Sequence, residues 1–334
     1  MQYNYLGRSA LKVSQLCLGA MMFGDVTDET TTQRIIDKAR EQGVNFIDTA
    51  DGYAQGRSEE YVGRAIKAQR DHWVLASKFS IATGPGPNQG GQSRKYIIQA
   101  VEASLRRLDT DFIDLIYFHK ADLEAPLDEG LRALDDLIAA GKLRYYGVSN
   151  FKGWRIAEVC RIADSLGMDR PVASQPLYNM VNRLGEVEQL PAAGHYGLGV
   201  VPYSPLARGV LSGKYKPGVA PPEGSRAARG DRRIQQTEWR DESLHIAQAV
   251  EGHAAARGMS TVAFAIAWVL KNRFVSSAIV GPRTEEQWDS YLEALDVVLG
   301  PEDEAFVDSL VTPGYASSHG WTDPVFPVEG RQVR

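Results

Sequence analysis

Eight short apolar runs recur along the chain, and this recurrence constrains the fold more than any other feature. The runs are QLCLGAM, VNFIDTA, HWVLASKF, FIDLIYFH, LRYYGVS, PVASQPL, GLGVVPY and SSAIVG. Segments between them place apolar residues at helical spacing, as in TTTQRIIDKAREQG, SEEYVGRAIKAQ, SRKYIIQAVEASLRRL, LDEGLRALDDLIAAG and FKGWRIAEVCRIADSLG. Because strands that alternate with helices favour a parallel sheet, the pattern predicts a closed (β/α)8 TIM barrel, formed by a single domain over residues 1–334.

A doubly wound open sheet is the alternative architecture for such a pattern. It is disfavoured because the sequence contains neither a G-x-G-x-x-G turn after the first strand nor a G-x-x-x-x-G-K-[ST] phosphate loop. The opening YNYLGRSALKVS predicts a small N-terminal β-hairpin. Three long segments without regular periodicity, 82–92, 205–241 and 313–334, are expected to form loops at the C-terminal face of the barrel.

The composition limits the classes of function. A hydrophobic content of 43%, a net charge of −5 and a pI near 5.8 are typical of a soluble globular protein without a general attraction to nucleic acid or anionic membranes. The two cysteines, Cys17 and Cys160, fit a reducing compartment, and no apolar run is long enough to cross a bilayer. We therefore expect a cytoplasmic protein that binds neither nucleic acid nor membrane. The histidines lack metal-ligand spacing, so no metal is expected, and the oligomeric state stays open.

Four chemically active residues lie at or just past the ends of apolar runs. They are Asp48, Tyr53, Lys78 and His119. In a parallel barrel the C-terminal ends of the strands surround the active site, so these side chains are expected to meet there. Their combination points to proton-coupled chemistry on a carbonyl group, because hydride delivery to a carbonyl builds negative charge on its oxygen.

Each of the four side chains can be given a role in this chemistry. Tyrosine is a weak acid with a reference pKa of ~10, but a neighbouring lysine cation favours the phenolate and strengthens the acid. Asp48 would hold Lys78 charged and oriented, and His119 would donate to or orient the carbonyl oxygen. The competing interpretation is a structural ion pair between Asp48 and Lys78 with a packed core histidine.

Several ordered motifs extend this interpretation to a known family. They are FIDTADGY (46–53), ASK (76–78), IYFH (116–119), YYGVSNF (145–151), SQPLYN (174–179), VPYSPLARGVLSGKY (201–215) and IVGPRTEEQ (279–287). With these motifs the chain resembles a bacterial-type aldo-keto reductase from about Tyr3 to Leu295. The resemblance implies a barrel that binds NADP(H) without a Rossmann motif, with Tyr53 as general acid and the other three residues completing a catalytic tetrad. It also implies a small-molecule carbonyl or alcohol substrate.

The resemblance further implies a set of cofactor-binding residues. They are Ser149, Asn150 and Gln175 for the nicotinamide carboxamide, Tyr203 for stacking on the ring, Ser204, Leu206 and Arg208 for the pyrophosphate, and Gly281, Arg283, Thr284 and Gln287 at the start of the last barrel helix. Arg283 is the candidate for binding the 2′-phosphate, because arginine recognises phosphate with two hydrogen bonds. The chain departs from the family pattern at Gln287 and Tyr291, which weakens the predicted preference for NADPH over NADH.

The substrate and the direction of the reaction are not fixed by these motifs. Phe23, Phe79 and Trp321 are candidate pocket walls, and aromatic walls suit rings, apolar chains or sugars. Two other functions are compatible with the same residues. One is a cofactor-binding regulatory barrel that couples redox state to a partner, and the other is an alcohol or sugar dehydrogenase.

Overall fold

The computed structural model describes residues 1–328. Contacts divide them into two compact units. The first unit comprises residues 1–176, 188–203 and 273–289, and the second comprises residues 177–187, 204–272 and the described residues from 290 onward. The last six residues of the predicted loop 313–334 lie outside the described part of the chain. That residues 1–334 form a single domain stays a prediction.

The first unit begins with the predicted hairpin, in which β1 (Tyr3–Tyr5) pairs antiparallel with β2 (Lys12–Ser14). A sheet of parallel strands follows. Its members are β3 (Leu16–Gly19), β4 (Phe46–Asp48), β5 (Val74–Phe79), β6 (Ile113–Phe118), β7 (Leu143–Ser149), β8 (Ala173–Gln175), β9 (Gly199–Val200) and β10 (Ala278–Val280). The order is β10-β3-β4-β5-β6-β7-β8-β9. Parallel bridges from Val200 to Val275 and from Tyr203 to Ile279 join the two ends of this sheet, which confirms the predicted (β/α)8 barrel.

Helices follow the strands as the sequence pattern predicts. In chain order they are α1 (Glu29–Glu41), α2 (Arg57–Ile66), α3 (Arg94–Leu108), α4 (Leu127–Ala139), α5 (Gly153–Leu166), α6 (Gln189–Tyr196), α7 (Arg232–Thr237), α8 (Asp241–Ala256), α9 (Thr261–Lys271), α10 (Glu285–Leu292) and α11 (Pro301–Leu310). Side-chain caps define several of the starts; Asp28 accepts from the Thr31 amide before α1, and Ser93 accepts from the Tyr96 amide before α3. Gly167 ends α5 in the left-handed conformation at φ 69°.

The predicted long segments differ in structure. Residues 205–241 contain a 3₁₀ turn at Ala207–Ser212 and the helix α7, whereas 82–92 and 313–328 contain no helix. Within residues 1–328, no single helix has the length and apolar character needed to cross a bilayer. Helices α8 and α9, bent by 96°, meet that criterion only as a pair and by length and composition alone.

Alternation of side chains along the strands fills the barrel and also sets the position of the polar residues. The core contains Phe46 of β4, Ala76 of β5, Tyr117 of β6 and Ala173 of β8, together with Leu6 and Val13 near the hairpin. Two residues after four of these core positions stand Asp48, Lys78, His119 and Gln175. Because successive side chains of a strand point to opposite faces, each of these polar residues continues an inward-facing series.

Candidate active site

The four predicted tetrad residues lie together in the first unit. The ammonium of Lys78 donates to the Asp48 carboxylate and to the carbonyl oxygen of Thr49 at 2.7 Å. The Lys78 nitrogen lies 4.9 Å from the ring centroid of Tyr53. The rings of Tyr53 and His119 meet edge to face at 5.9 Å. The structure therefore brings a carboxylate, an ammonium, a phenol and an imidazole together, each adjacent to the next.

Lys78 is charged although it is fully buried. Its side chain is 0% exposed and that of Asp48 is 3% exposed. Burial alone lowers the pKa of Lys78, but the charge of Asp48 and the Tyr53 hydroxyl more than offset this and raise the pKa above its ordinary value. A buried ion pair is weak evidence for stability, because removing two charges from water costs several kcal/mol per ion. Stability alone therefore does not account for a buried pair at this position.

A tight turn after β4 carries Tyr53. The Tyr53 amide donates to the carbonyl oxygen of Ala50 at 3.2 Å, and the Asp51 amide donates to that of Lys78 at 3.2 Å. Ala54 and Gln55 follow in the left-handed region, with φ of 49° and 58°. Non-glycine residues adopt this conformation when the surrounding structure enforces it, and such residues cluster at functional sites.

His119 is held as a neutral imidazole. Burial, and then the positive charges of Lys78 and Lys120, keep the pKa of His119 well below its ordinary value. Its Nδ1 is buried without a hydrogen-bond partner among residues 1–328. The His119 amide donates to the carbonyl oxygen of Phe79 at 2.8 Å, and its own carbonyl oxygen accepts from Asn150 at 2.9 Å. The backbone of His119 is thus held on both sides, and its imidazole is uncharged at physiological pH.

The residues predicted to bind the nicotinamide carboxamide form one network beside the tetrad. Gln175 donates to the second oxygen of Asp48 at 2.9 Å, and Ser149 donates to the carbonyl oxygen of Gln175 at 2.9 Å. Asn150 has a φ of 61° and accepts from the hydroxyl of Tyr203 at 2.8 Å. One hydroxyl and two amide side chains form a donor and acceptor set that fits a carboxamide.

The start of α10 holds the residues predicted to bind the adenosine phosphate. The Gln287 side chain accepts from the Arg283 amide at 2.9 Å, and the Thr284 hydroxyl accepts from the Gln287 amide at 3.3 Å. The Arg283 carbonyl oxygen accepts from Thr27 at 3.2 Å, and Gly281 is exposed. A guanidinium at a helix start suits an anion, because the first amides of a helix are electropositive.

The residues predicted to meet the pyrophosphate belong to the second unit. The Ser204 carbonyl oxygen accepts from Asn179 at 3.0 Å, and the Leu206 carbonyl oxygen accepts from the Gly209 amide at 2.8 Å. Arg208 donates to the Thr237 hydroxyl at 3.0 Å. Ser204 and Arg208 are left-handed, with φ of 59° and 55°. Their roles at a cofactor stay predictions.

The three candidate pocket walls lie in different surroundings. Phe23 and Phe79 are buried in the first unit, and Phe79 packs on Phe118 with the ring centroids 4.9 Å apart. Trp321, in the second unit, lies under the guanidinium of Arg240 at 4.3 Å. Their part in a substrate pocket stays a prediction.

A buried acidic cluster next to the tetrad was missed by sequence reasoning. Glu59 is 0% exposed and accepts from Ser77 at 2.5 Å and from Arg107 at 2.7 Å. Asp51, which is 4% exposed, accepts from Tyr96 at 3.4 Å. The available signal was an acidic residue inside FIDTADGY, between Asp48 and Tyr53 in sequence.

Comparison with known proteins agrees with this geometry. A model of the aldo/keto reductase family matches residues 15–312. A protein of Arabidopsis thaliana named "Probable voltage-gated potassium channel subunit beta" is 38% identical over 303 residues, 89% of this chain and 92% of its own length. A Bacillus subtilis protein named "Uncharacterized oxidoreductase YrpG" is 37% identical over 313 residues, 90% of this chain and 93% of its own length. The chain therefore belongs to the aldo/keto reductase family. Proteins of this family generally bind NAD(P)H, and membership supports an oxidoreductase.

Proposed function

We propose that the protein reduces an aldehyde or ketone to the alcohol with NADPH, and that Tyr53 is the general acid. The observation that carries this proposal is the buried Lys78, whose ammonium contacts Asp48 and lies 4.9 Å from the ring centroid of Tyr53. Burying a cation is costly, and its placement against a phenol supports proton transfer at that phenol.

The reaction adds a hydride to the carbonyl carbon and a proton to the carbonyl oxygen. The nicotinamide of the bound cofactor supplies the hydride. Tyr53 transfers its phenolic proton to the oxygen, and the charge of Lys78 stabilises the phenolate that remains. Asp48 keeps Lys78 charged and fixes the position of its ammonium. Because these groups are buried, their interactions are stronger than they would be in water.

His119 takes the role of a neutral hydrogen-bond donor. Its lowered pKa leaves the imidazole uncharged, so it polarises the carbonyl without competing with Tyr53 as the acid. Ser149, Asn150 and Gln175 bind the carboxamide of the nicotinamide and so decide which face of the ring meets the substrate. The partly exposed Tyr203 provides an aromatic surface for stacking.

Arg283 is proposed to select NADPH by binding its 2′-phosphate. We expect Arg283→Ala to raise the KM for NADPH about 10- to 100-fold, because a hydrogen bond to a charged group contributes about 1.5–3 kcal/mol. The KM for NADH is expected to change little. Steady-state kinetics with both cofactors measure this, with Arg161→Ala as the control, since Arg161 is an exposed residue of α5 paired with Glu158. An equal change for NADPH and NADH would contradict the assignment.

A substrate panel tests the proposed function directly. Purified protein is mixed with NADPH and aromatic aldehydes, aliphatic aldehydes, keto-sugars or ketosteroids, and NADPH oxidation is followed by absorbance. Alcohols and sugars with NADP⁺ test the reverse direction, in which the Tyr53 phenolate serves as the base. Turnover in one class identifies the substrate chemistry. Saturable NADPH binding without turnover in any class would contradict the reductase assignment.

A second candidate function is a cofactor-binding barrel that couples redox state to a protein partner. It is favoured by the names of relatives from Arabidopsis thaliana and Schizosaccharomyces pombe, which are described as probable or putative voltage-gated potassium channel beta subunits. Tight NADPH binding with negligible turnover, together with a partner affinity that differs between NADPH and NADP⁺, would support this function over the first.

A further inference from the structure

Asp51 is a buried carboxyl group that is poorly solvated for a carboxylate. It is 4% exposed, and its Oδ1 is buried without a hydrogen-bond partner among residues 1–328. The donors to its carboxyl group are the Tyr96 hydroxyl, at a long 3.4 Å, and the backbone amide of Gly52. A buried carboxylate normally has several hydrogen bonds, because an uncompensated charge away from water is costly. The surroundings of Asp51 therefore favour a neutral carboxylic acid.

The neighbouring charges lead to the same conclusion. The titratable groups that face Asp51 are Glu59 on α2 and Arg107 and Tyr96 on α3, and the Gly52 amide is the neighbouring backbone donor. The guanidinium of Arg107 forms its ion pair with Glu59, through contacts of 2.6 and 2.7 Å, and not with Asp51. Burial, and then repulsion by Glu59, raise the pKa of Asp51 to about 7, although Arg107 and the hydrogen bonds from Gly52 and Tyr96 act in the opposite direction.

Asp51 is also connected to the catalytic groups through the backbone. Its amide donates to the carbonyl oxygen of Lys78 at 3.2 Å, and Tyr53 follows Asp51 by two residues in the same turn. Ser77, which donates to Glu59, directly precedes Lys78 in β5. A change of charge at Asp51 therefore acts on the segments that hold both Tyr53 and Lys78.

We propose that Asp51 is a positioning residue that works as a neutral acid and keeps the Tyr53 turn closed against Lys78. When Asp51 ionises, a second negative charge appears opposite Glu59 in a buried part of the protein, and the turn loosens. This inference rests on the proposed role of Tyr53 in carbonyl reduction.

The pH dependence of kcat tests this role. The neutral form predominates below pH 7 and the ionised form above it, so the wild-type rate should fall as the pH rises through about 7. At pH 8 about a tenth of Asp51 would be neutral, which predicts a roughly tenfold lower rate than at low pH. Asp51→Asn cannot ionise and should lose this decline. Glu59→Gln removes the negative charge that repels the Asp51 carboxylate and leaves Arg107 without its ion-pair partner. Both changes lower the pKa of Asp51, so the decline in rate should move to lower pH.

These outcomes separate positioning from a merely structural role. An Asp51→Asn protein that is folded by circular dichroism but shows the wild-type decline would overturn the proposal. An unchanged decline in Glu59→Gln would overturn it as well, and this second variant decides the matter if Asp51→Asn does not fold. A general loss of packing would lower kcat at every pH without changing the shape of the profile.

A direct titration keeps the inference separate from the proposed function. Infrared difference spectra should show a protonated carboxyl group in the wild-type protein that titrates near pH 7 and is absent from Asp51→Asn. Amide hydrogen exchange of residues 50–53, corrected for the intrinsic rate, should accelerate above pH 7 in the wild-type protein only. If no carbonyl is turned over, the proposed function fails while these two readouts still report on Asp51. If neither readout changes, the inference fails whatever the turnover.

Discussion

Replacing Tyr53 with phenylalanine is expected to lower kcat for carbonyl reduction by about 10²–10⁴-fold, the usual contribution of a general acid. The substitution removes the transferable proton and keeps the ring, which lies 4.9 Å from the Lys78 nitrogen and 5.9 Å from the His119 ring. NADPH affinity should stay close to the wild-type value. Single-turnover kinetics with saturating NADPH measure the chemical step, and fluorescence titration measures binding.

The matched control for this experiment is Tyr61→Phe. Tyr61 lies on α2, where its ring contacts the guanidinium of Arg64 at 5.3 Å. The control therefore also removes one tyrosine hydroxyl, but at a position outside the tetrad. Full activity is expected in the control. If Tyr53→Phe retains the wild-type rate for the chemical step, the general acid is another group and the proposed mechanism is wrong.

Replacing Lys78 with methionine is expected to destabilise the protein by about 3–5 kcal/mol, because it leaves the buried Asp48 carboxylate without its counterion. The second oxygen of Asp48 keeps its hydrogen bond from Gln175, which does not supply the missing positive charge. Urea-induced unfolding at pH 7 measures the change in the free energy of unfolding. The double variant Asp48→Asn, Lys78→Met should recover much of the loss, since no unpaired charge then remains in the core.

Lys142→Met provides the control for this stability measurement. Lys142 is paired with Glu102, but the two side chains are 38% and 34% exposed, so the expected cost is only about 0–1 kcal/mol. A double variant no more stable than Lys78→Met alone would show that the loss comes from packing of the lysine stem and not from an unpaired charge.

The positions of the tetrad residues could be predicted because they follow from local rules. Asp48 and Lys78 stand two residues after core positions in parallel strands, and such strands align their C-terminal ends at one face. The alternation that points Lys78 inward also places the next residue, Phe79, on the opposite face, where it packs on Phe118. The sequence pattern is therefore enough to predict the barrel and the proximity of Asp48 to Lys78.

The acidic cluster could not be predicted in the same way. Glu59 lies in the first turn of α2, where acidic residues are common and usually solvated. It is buried because α3 brings Arg107 against it from 48 positions further along the chain. The burial of Glu59 thus depends on packing between elements, which local periodicity does not report.

Closure of the barrel has a consequence for how the chain reaches its native state. The final strand, β10, pairs with β3 near the start of the chain, with Leu16 opposite Ala278. Until residues 275–280 have been synthesised, β3 and β9 both present open strand edges, which are templates for intermolecular pairing. Pairing between segments so distant in sequence is intrinsically slow. A nascent or truncated chain that ends before β10 is therefore expected to depend on chaperones and to aggregate in their absence.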